Sequence, residues 1–519
     1  MFSLLSEAWL PVIDREGKRR KISPLQLADE TIIDLAWPRA DFQGAAYQFL
    51  IGLLQTACPP EDDEAWENIW DEGFDEADLQ QSLQNLSPAF HFGPEKPAFL
   101  QDFSTLAVDN SSIAGLLIDA PGGNTQKLNK DHFIKRASYQ RFCPHCTAMA
   151  LYTVQTNSPA GGAGFRVSMR GGGPMTTLMA PQDDGQPLWR KLWLNVLPDE
   201  TSIDSGQYPL IFPWLAETRS SESPKNITTP ENAHPLQAYW GMPRRLEIDF
   251  THTETGNCDL CGEFHSALLT QILSKNYGVQ YDGWRHPLSP YRQALKDDGA
   301  SWIPLKGQPG GLVYKDWLGL VVKTADKFNR TVPASVVRNI SGVKTRLWCF
   351  GFDMDNAKAR CWYEHRLPVS ALSRLDAEYL ERNLQLAGQL AINSLSLLKT
   401  ALKEAWFEMP SEAKGNYSAI DLAFWQQTEP AFRQLWQQLT ETPDTLQPQA
   451  REALRCWMTD LQHYIFDAFD RSALTNPDFT VELTRIVTAR RKLAKEFTRQ
   501  KSLKSLQDIT TERKEAASA

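Results

Sequence analysis

The sequence of 519 residues lacks the features of a membrane or secreted protein. It has no run of about 18 apolar residues, the length that a membrane-spanning helix requires. Its start, MFSLLSEAWLPV, has no basic segment and reaches an acidic residue at Glu7, unlike a secretion signal. We therefore expect a cytoplasmic protein without a membrane partner. At about 100–200 residues per domain, the length predicts two to four domains.

An excess of positive charge is also missing. The chain has 54 Lys and Arg against 63 Asp and Glu, a formal net charge of −9. This balance argues against coating nucleic acid with the whole surface. Because charge is screened beyond about 8 Å at physiological salt, local basic faces remain effective. The acidic residues concentrate between Glu61 and Asp78, which we interpret as a solvated helical face.

Familiar catalytic motifs are absent. The sequence contains no GxSxG, HExxH or SxxK motif, and its glycine clusters fit neither nucleotide-binding pattern, GxxxxGK[ST] or GxGxxG. Asp353 and Asp355 could hold Mg²⁺ as in a two-metal nuclease. No companion acidic motif stands out, so a polar loop is the favoured interpretation. We expect a non-enzymatic protein and keep a metal-dependent nuclease as the alternative.

The fold class predicted from the pattern is α+β. Before residue 366, short apolar runs such as Gly319–Lys323 and Arg346–Phe352 resemble strands between glycine- and proline-rich turns. One helix is expected at Ala45–Ala57, where residues are apolar nearly all round and should be buried. We assign 1–365 to a mixed domain with many long loops.

The rest of the chain, 366–519, has a helical pattern. Apolar residues recur there at three- and four-residue steps in four stretches, the second with a break expected at Pro430. Four amphipathic helices with short connections predict an antiparallel four-helix bundle.

The eight cysteines do not suggest a disulfide framework, because the chain is large and has no secretion signal. Four of them form two CxxC pairs, Cys143 with Cys146 and Cys258 with Cys261. Four thiolates complete the tetrahedral shell of a structural zinc ion. The pairs lie more than a hundred residues apart, so the metal would clamp two distant segments. Unrelated reduced thiols, or His145 or His265 replacing one cysteine, are the alternatives.

Two glycine clusters, Pro159–Phe165 and Arg170–Pro174, allow a backbone to approach a ligand closely. The neighbouring Arg166 and Arg170 suit a phosphate-bearing polymer. Ordinary tight turns are the alternative for these residues alone.

Two basic stretches could also contact nucleic acid. One surrounds His132 and Phe133, where aromatic residues among bases suit stacking on nucleic acid. The other lies in the fourth predicted helix and comprises Arg485, Arg490, Arg491, Lys492, Lys495, Arg499, Lys501 and Lys504. A basic helix face can bind a phosphate backbone, and it can equally be a solvated face of the bundle.

Taken together and in their order along the chain, these segments resemble the CasA family, the large subunit of the type I-E CRISPR surveillance complex Cascade. The resemblance covers essentially the whole chain. It rests on Leu4–Val12, Pro38–Asp41, Cys143–Leu151, Met169–Thr177, Cys258–Cys261, Trp284–Pro290 and Gly351–Arg360 and on the C-terminal helices.

The resemblance implies a function. CasA proteins join a crRNA and the other Cascade subunits. They recognise the protospacer-adjacent motif (PAM) in double-stranded target DNA, start strand separation, and help to recruit a helicase-nuclease in antiviral defence. An RNA-guided protein reads only the PAM, since base pairing reads the rest. A scaffold subunit without base readout is the alternative.

The resemblance also implies site residues. Its minor-groove glycine loop falls on Ala160, Gly161, Gly162, Ala163 and Gly164, with alanine at two positions where glycines stand in the family. Its groove lysine falls on Lys275. Its strand-separating wedge falls on Asp355, Asn356 and Ala357, with Asn356 where some members have glutamine. The loop that contacts the crRNA falls on His132 and Phe133. Because the minor groove mainly distinguishes A·T from G·C, such a reader is permissive.

Overall fold

A computed structural model gives the structure of the chain. It describes residues 2–121, 127, 138–162, 164–201, 203–294, 301–307, 312–321, 323–325, 329–338, 340, 342–355, 358–369, 374–412, 415, 417–445, 447–473 and 482–511.

These residues form a mixed α and β structure with a helical C-terminal region, which confirms the coarse fold class. The helices are α1 Ala40–Ala57, α2 Asp63–Glu72, α3 Glu76–Asn85, α4 Pro144–Asn157, α5 Leu188–Trp193, α6 Tyr208–Ile211, α7 Tyr314–Val321, α8 Arg374–Trp406, α9 Ser418–Glu441, α10 Pro448–Ala473, α11 Leu483–Arg499 and α12 Lys501–Thr510. Short 3₁₀ turns cover Pro24–Gln26, Ser87–Ala89, Ile113–Leu116, Ser205–Gln207, Pro213–Leu215 and Pro235–Trp240.

The strands are mostly short. They are β1 Phe2–Ser3, β2 Leu10–Asp14, β3 Arg19–Ile22, β4 Ile32–Leu35, β5 His91–Phe92, β6 Asn110–Ser112, β7 Thr176–Pro181, β8 Ile227–Thr228, β9 Arg245–Ile248, β10 Thr253–Asn257, β11 Phe264–Leu269, β12 Gln271–Lys275, β13 Gln280–Tyr281, β14 Tyr291–Ala294, β15 Ile303–Pro304, β16 Thr324–Ala325, β17 Asn329–Val332, β18 Thr345–Asp355 and β19 Lys358–Pro368. Two small antiparallel sheets matter for the site, ordered β6-β12-β9 and β19-β18-β7.

The chain divides into two compact units. The first comprises Met1–Gly311, Ala325–Arg338 and Val343–Val369, and the second comprises Leu312–Thr324, Asn339–Gly342 and Ser370–Ala519. The second unit thus includes α7, which precedes the change of pattern near residue 366.

The core of the first unit is built on α1, which is buried nearly all round as its composition predicted. Phe49 at its centre makes edge-to-face contacts with the rings of Trp9, Phe90, Tyr152 and Trp240, at centroid distances of 5.5–5.9 Å. Aromatic pairs favour this geometry because the positive edge of one ring meets the negative face of another. Tyr152 belongs to α4, so this core holds α4 against α1.

In the second unit α8 packs against α7, α9, α10, α11 and α12. Tyr314 of α7 stacks on Phe432 of α9 at 4.3 Å and exchanges a 2.9 Å hydrogen bond with the Thr428 hydroxyl. Pro430 does not break α9, which runs through it. The fourth predicted helix is followed after Gln500 by a further short helix, α12. No described helix is long and apolar enough to span a bilayer.

Candidate metal site and nucleic-acid interface

The two CxxC pairs meet in the first unit. Cys143 caps the N-terminus of α4, Pro144 occupies its first turn, and Cys146 follows within that turn. Cys258 and Cys261 lie between β10 and β11, where Gly262 has a φ of +77° that closes the turn. The sulfur atoms of all four cysteines lie within 4.8 Å of one another. The predicted clamp between distant segments is therefore possible in this fold.

The geometry fits a metal ion bound by four thiolates. A tetrahedral zinc–sulfur bond of about 2.3 Å places neighbouring sulfurs about 3.8 Å apart, and Cys143 Sγ and Cys261 Sγ are 3.8 Å apart. Backbone N–H groups also point at the sulfurs, since Cys143 donates to Cys258 Sγ at 3.2 Å and Cys146 donates to Cys143 Sγ at 3.4 Å. Such bonds favour thiolates. Three of the four cysteines are buried, and four thiolates would fill a tetrahedral shell.

The four thiols shift one another's pKa values in opposite directions. Hydrogen bonding to the other three thiols, together with burial, raises the pKa of Cys146 well above its usual value. Hydrogen bonds from Cys143 and Cys146 lower the pKa of Cys258. A bound metal ion would displace the protons that the thiols still hold.

The first glycine cluster forms an exposed loop. Ala160, Gly161 and Gly162 are exposed, while Ala163 lies outside the described residues. Gly162 and Gly164 have φ values of +84° and +78°, which glycine adopts without steric cost. The loop closes on itself because the Gly161 N–H donates to the Phe165 carbonyl at 3.2 Å and the Phe165 N–H donates to Gly162 at 3.1 Å.

The structure brings this loop to the end of β12, the strand that carries Lys275. The N–H of Tyr277 donates to the Gly164 carbonyl at 2.7 Å, so the loop is fixed two residues beyond Lys275. Lys275 is partly buried, and within the described part of the chain its side chain makes no hydrogen bond or ion pair. The predicted glycine loop and the strand end that carries the predicted groove lysine are therefore adjacent.

Sequence reasoning did not identify Tyr277. It has a φ of +61° and its side chain is 43% exposed. A left-handed conformation costs a residue with a side chain about 1–2 kcal/mol. Hydrogen bonds retain it, since its carbonyl accepts from the Ser220 hydroxyl at 3.0 Å and from the Ser221 N–H at 3.2 Å. Strained backbone of this kind often marks functional sites.

The second glycine cluster braces the first against β18. A Cβ on Gly172 would lie 2.6 Å from Pro159 Cα, and one on Gly173 would lie 2.4 Å from Met354 Cγ and 2.7 Å from the Phe352 carbonyl oxygen. The Gly173 N–H also donates to Asn157 at 3.0 Å. These glycines therefore allow close packing between the glycine loop and the β18–β19 hairpin.

The first residue of the predicted wedge, Asp355, lies at the end of that hairpin. Asp355, the last residue of β18, is exposed and pairs in register with Lys358, the first residue of β19. Asn356 and Ala357 lie outside the described residues, and so do His132 and Phe133 of the predicted crRNA loop.

Asp353 and Asp355 are not the polar loop expected from the sequence. Both belong to β18, and Asp353 is buried. Its carboxylate accepts two hydrogen bonds from Arg360 of β19, at 2.7 and 3.1 Å. Asp353 thus pairs with Arg360 across the hairpin.

Of the two arginines that flank the glycine loop, Arg170 has a role different from the one expected. Arg170 is 2% exposed and donates to Gln48 Oε1 at 2.5 Å and to the hydroxyls of Thr176 and Ser289 at 3.1 Å each. Burial lowers the pKa of Arg170 to about 10. Arg166 donates to Ser221 Oγ at 2.8 Å. Arg170 is thus a core residue that cannot reach a DNA backbone.

The basic series on α11 and α12 divides into two sets. Four members pair with acidic side chains, Arg485 with Glu408, Arg490 with Asp470, Lys492 with Glu404 and Arg499 with Glu496. The others, Arg491, Lys495, Lys501 and Lys504, are exposed and make no ion pair with any residue that the structure describes.

Comparison with known proteins agrees with this fold. The model of the family described as CRISPR-associated protein Cse1 matches residues 3–468. A crystal structure of CasA from Thermus thermophilus is 16% identical, with a TM-score of 0.65, over 96% of this chain and 100% of that one. Thermobifida fusca Cse1 is also 16% identical, with a TM-score of 0.64, over 98% of this chain and 99% of that one.

A chain of a solved CRISPR RNA-guided surveillance complex is 14% identical, with a TM-score of 0.68, over 96% of this chain and 99% of that one. At such identities the structural likeness shows a shared fold. The family match extends over most of the sequence and confirms the resemblance to CasA. The chain therefore belongs to the family of CRISPR-associated protein Cse1, a name used together with CasA.

Proposed function

We propose that this chain is the non-catalytic large subunit of a crRNA-guided type I-E Cascade complex. In this role it recognises the PAM of double-stranded DNA through the minor groove, starts unwinding and stabilises the R-loop. Its partners are the crRNA, the other Cascade subunits, target DNA and a helicase-nuclease recruited afterwards. The Cse1 family match supports the assignment, and so does the likeness to a chain of a surveillance complex.

The observation that carries the proposal is the hydrogen bond from Tyr277 to Gly164, which fixes the glycine loop beside Lys275. A loop with little side chain can follow the minor groove closely, and a nearby lysine without a protein partner can contact its edge or its phosphates. Of the proposed wedge residues Asp355, Asn356 and Ala357, Asp355 ends β18, the strand that Gly173 abuts, and the neighbouring Gly172 abuts Pro159 just before the glycine loop. Wedges of this kind must offset unstacking of a few kcal/mol per step.

We further propose that Cys143, Cys146, Cys258 and Cys261 hold one structural Zn²⁺. Four thiolates leave no open position for a substrate, so the ion would fasten α4 to the β10–β11 hairpin.

We also propose that the helices of the second unit form a bundle, which carries the exposed lysines and arginines of α11 and α12.

The test is a binding titration on target duplexes with a randomised PAM, using the crRNA complex assembled with and without this chain. We expect tight binding and PAM preference only when the chain is present. Lys275→Ala and Asn356→Ala should each weaken binding roughly tenfold, since one good groove contact contributes about 1–3 kcal/mol. Lys18→Ala, in the exposed turn before β3, is the control and should bind like the unaltered chain.

Equal binding with and without the chain would contradict DNA recognition. Unchanged preference in both variants would indicate a scaffold instead. The same reactions with Mg²⁺ test the nuclease alternative, which requires cleavage that Asp353→Ala abolishes. Because Asp353 already binds Arg360, we expect the chain to cut nothing.

A further inference from the structure

A second cation lies against the glycine loop at Arg244, the residue before β9. Its Nε donates to Ser158 Oγ at 3.3 Å, its Nη2 donates to the Pro159 carbonyl, and its guanidinium lies 5.1 Å from the centroid of the Phe165 ring. The remaining nitrogen, Nη1, abuts the loop itself, because a Cβ on Gly161 would come within 2.9 Å of it.

Arg244 has no anionic partner among the residues that the structure describes. The next residue provides an internal comparison, because Arg245 donates to buried Asp102 at 2.6 Å and lies 3.8 Å from Glu222. Burial without a compensating negative charge lowers the pKa of Arg244 to about 10. A partly buried cation without a counter-charge is unfavourable, so its presence at a surface loop requires an explanation.

The position of Arg244 relative to Lys275 suggests what supplies the missing charge. Strands β9 and β12 are paired with Arg245 opposite Lys275. Arg244 immediately precedes β9 and Lys275 ends β12, so the two residues lie at the same end of this strand pair, next to the same exposed loop. Two cations that adjoin one loop, and that have no anionic partner in the described ranges of the chain, make its surroundings positive and so suit a polyanion. The planar guanidinium matches the geometry of a phosphate group.

We propose that Arg244 binds a backbone phosphate of the target DNA beside Gly161 and so fixes the depth at which the glycine loop enters the groove. The inference rests on the proposed function and adds a positioning residue to it. A phosphate contact carries no sequence information, so Arg244 sets affinity and register while the loop and Lys275 set preference.

The test uses Arg244→Gln in the complete crRNA complex, titrated with duplexes of randomised PAM at several KCl concentrations. Glutamine keeps a hydrogen-bond donor and removes the charge. We expect affinity to fall by a similar factor for every PAM, and the slope of log K against log salt to decrease by about 0.9, the value for one phosphate. The melting temperature of the chain should change little, because the loss of the contacts with Ser158, Pro159 and Phe165 is offset by the removal of an uncompensated charge. Arg244→Lys should keep the salt slope.

Arg245→Gln is the matched control. It leaves the buried carboxylate of Asp102 without its partner, so it should lower the melting temperature and leave the salt slope unchanged.

A lower melting temperature with an unchanged salt slope in Arg244→Gln would make Arg244 a structural residue and overturn the inference. A loss limited to particular PAMs would indicate a base contact and would also overturn it. If Lys275→Ala changes PAM preference while Arg244→Gln leaves the salt slope intact, only this inference fails. If neither variant affects binding, the proposed function fails as well.

Discussion

Two glycines of the exposed loop differ in what a side chain would meet, although both have positive φ. Around Gly162 there is open space, whereas a Cβ on Gly164 would lie 2.9 Å from the backbone nitrogen of Tyr277. Gly162→Ala should therefore cost only the left-handed conformation, about 1–2 kcal/mol. Gly164→Ala must in addition displace Tyr277, and we expect a loss of about 2–4 kcal/mol in the free energy of unfolding.

Denaturant unfolding of both variants measures this difference. DNA titration then separates stability from recognition. Gly162→Ala should stay folded yet bind PAM duplexes more weakly, because its methyl group faces the expected path of the groove. Equal unfolding free energies for the two variants would contradict the role assigned to the Tyr277 hydrogen bond.

Single residues also show how far the sequence could predict the site. The glycines were identifiable, because few other residue types tolerate a positive φ. The cysteines were identifiable, because four thiolates together are a typical ligand set for zinc. Tyr277 and Arg244 could not be identified from the sequence. The residue type of a tyrosine does not predict a positive φ, and that of an arginine does not predict whether an acidic residue lies beside it. Arg170 was misinterpreted for the same reason. Whether an arginine faces solvent or the core depends on tertiary contacts, here with Gln48 and Ser289.

Among the elements, the cysteine cluster gives a clear expectation. Purified protein should contain one equivalent of zinc, and Cys143→Ser should release it. A cross-link that closes a loop of about a hundred residues stabilises a fold by about 4–5 kcal/mol through chain entropy, and the ion would close a loop of this size. The melting temperature should therefore fall markedly in the variant.

Elemental analysis and calorimetry measure both effects. Cys456→Ser is the control, because Cys456 is an exposed cysteine of α10 outside the cluster and should retain the zinc and the stability. If removing the metal from the purified, unaltered protein left its melting temperature unchanged, the four thiols would merely lie close together without a structural metal.

Secondary structure was predictable where the apolar periodicity extends over many residues, and the prediction was wrong where the pattern is short. The pattern after residue 366 extends over many turns, and α8 to α11 follow it. Gly319–Lys323 was expected to be a strand, yet Gly319, Leu320 and Val321 end the helix α7. Tyr314, Trp317 and Leu320 are the buried residues that decide this, since their three-residue spacing places them on one helix face. A window starting at Gly319 misses that spacing.

At the scale of the whole molecule, composition along the chain could not reveal how its units are assembled. The change of pattern near residue 366 marks the start of the long helices, but the second unit also takes Leu312–Thr324 and Asn339–Gly342. Those segments join through contacts such as the stacking of Tyr314 on Phe432, which connect residues more than a hundred positions apart. Local sequence carries no signal for such pairing.

The net charge of −9 makes the distribution of charge decisive for DNA binding by the whole molecule. Exposed Arg491 and Lys495 of α11 lack acidic partners in the described part of the chain and lie four residues apart on one helix, so the two together suit a displaced single strand. We expect the double variant Arg491→Gln and Lys495→Gln to weaken binding of full target duplexes and to lower the salt slope by about 1.4, the value for two single-strand phosphates.

Stability should change by less than about 0.5 kcal/mol, because both side chains are on the surface. The control is Arg490→Gln, which removes a 2.8 Å ion pair with Asp470 and a cation–π contact with Phe466, and which should lower stability with little effect on the salt slope. A target without the displaced strand decides the matter. If these residues bind that strand, the double variant should bind such a target as tightly as the unaltered chain does. Equally weakened binding of both targets, or unchanged binding of both, would instead indicate that this face of α11 is a solvated surface.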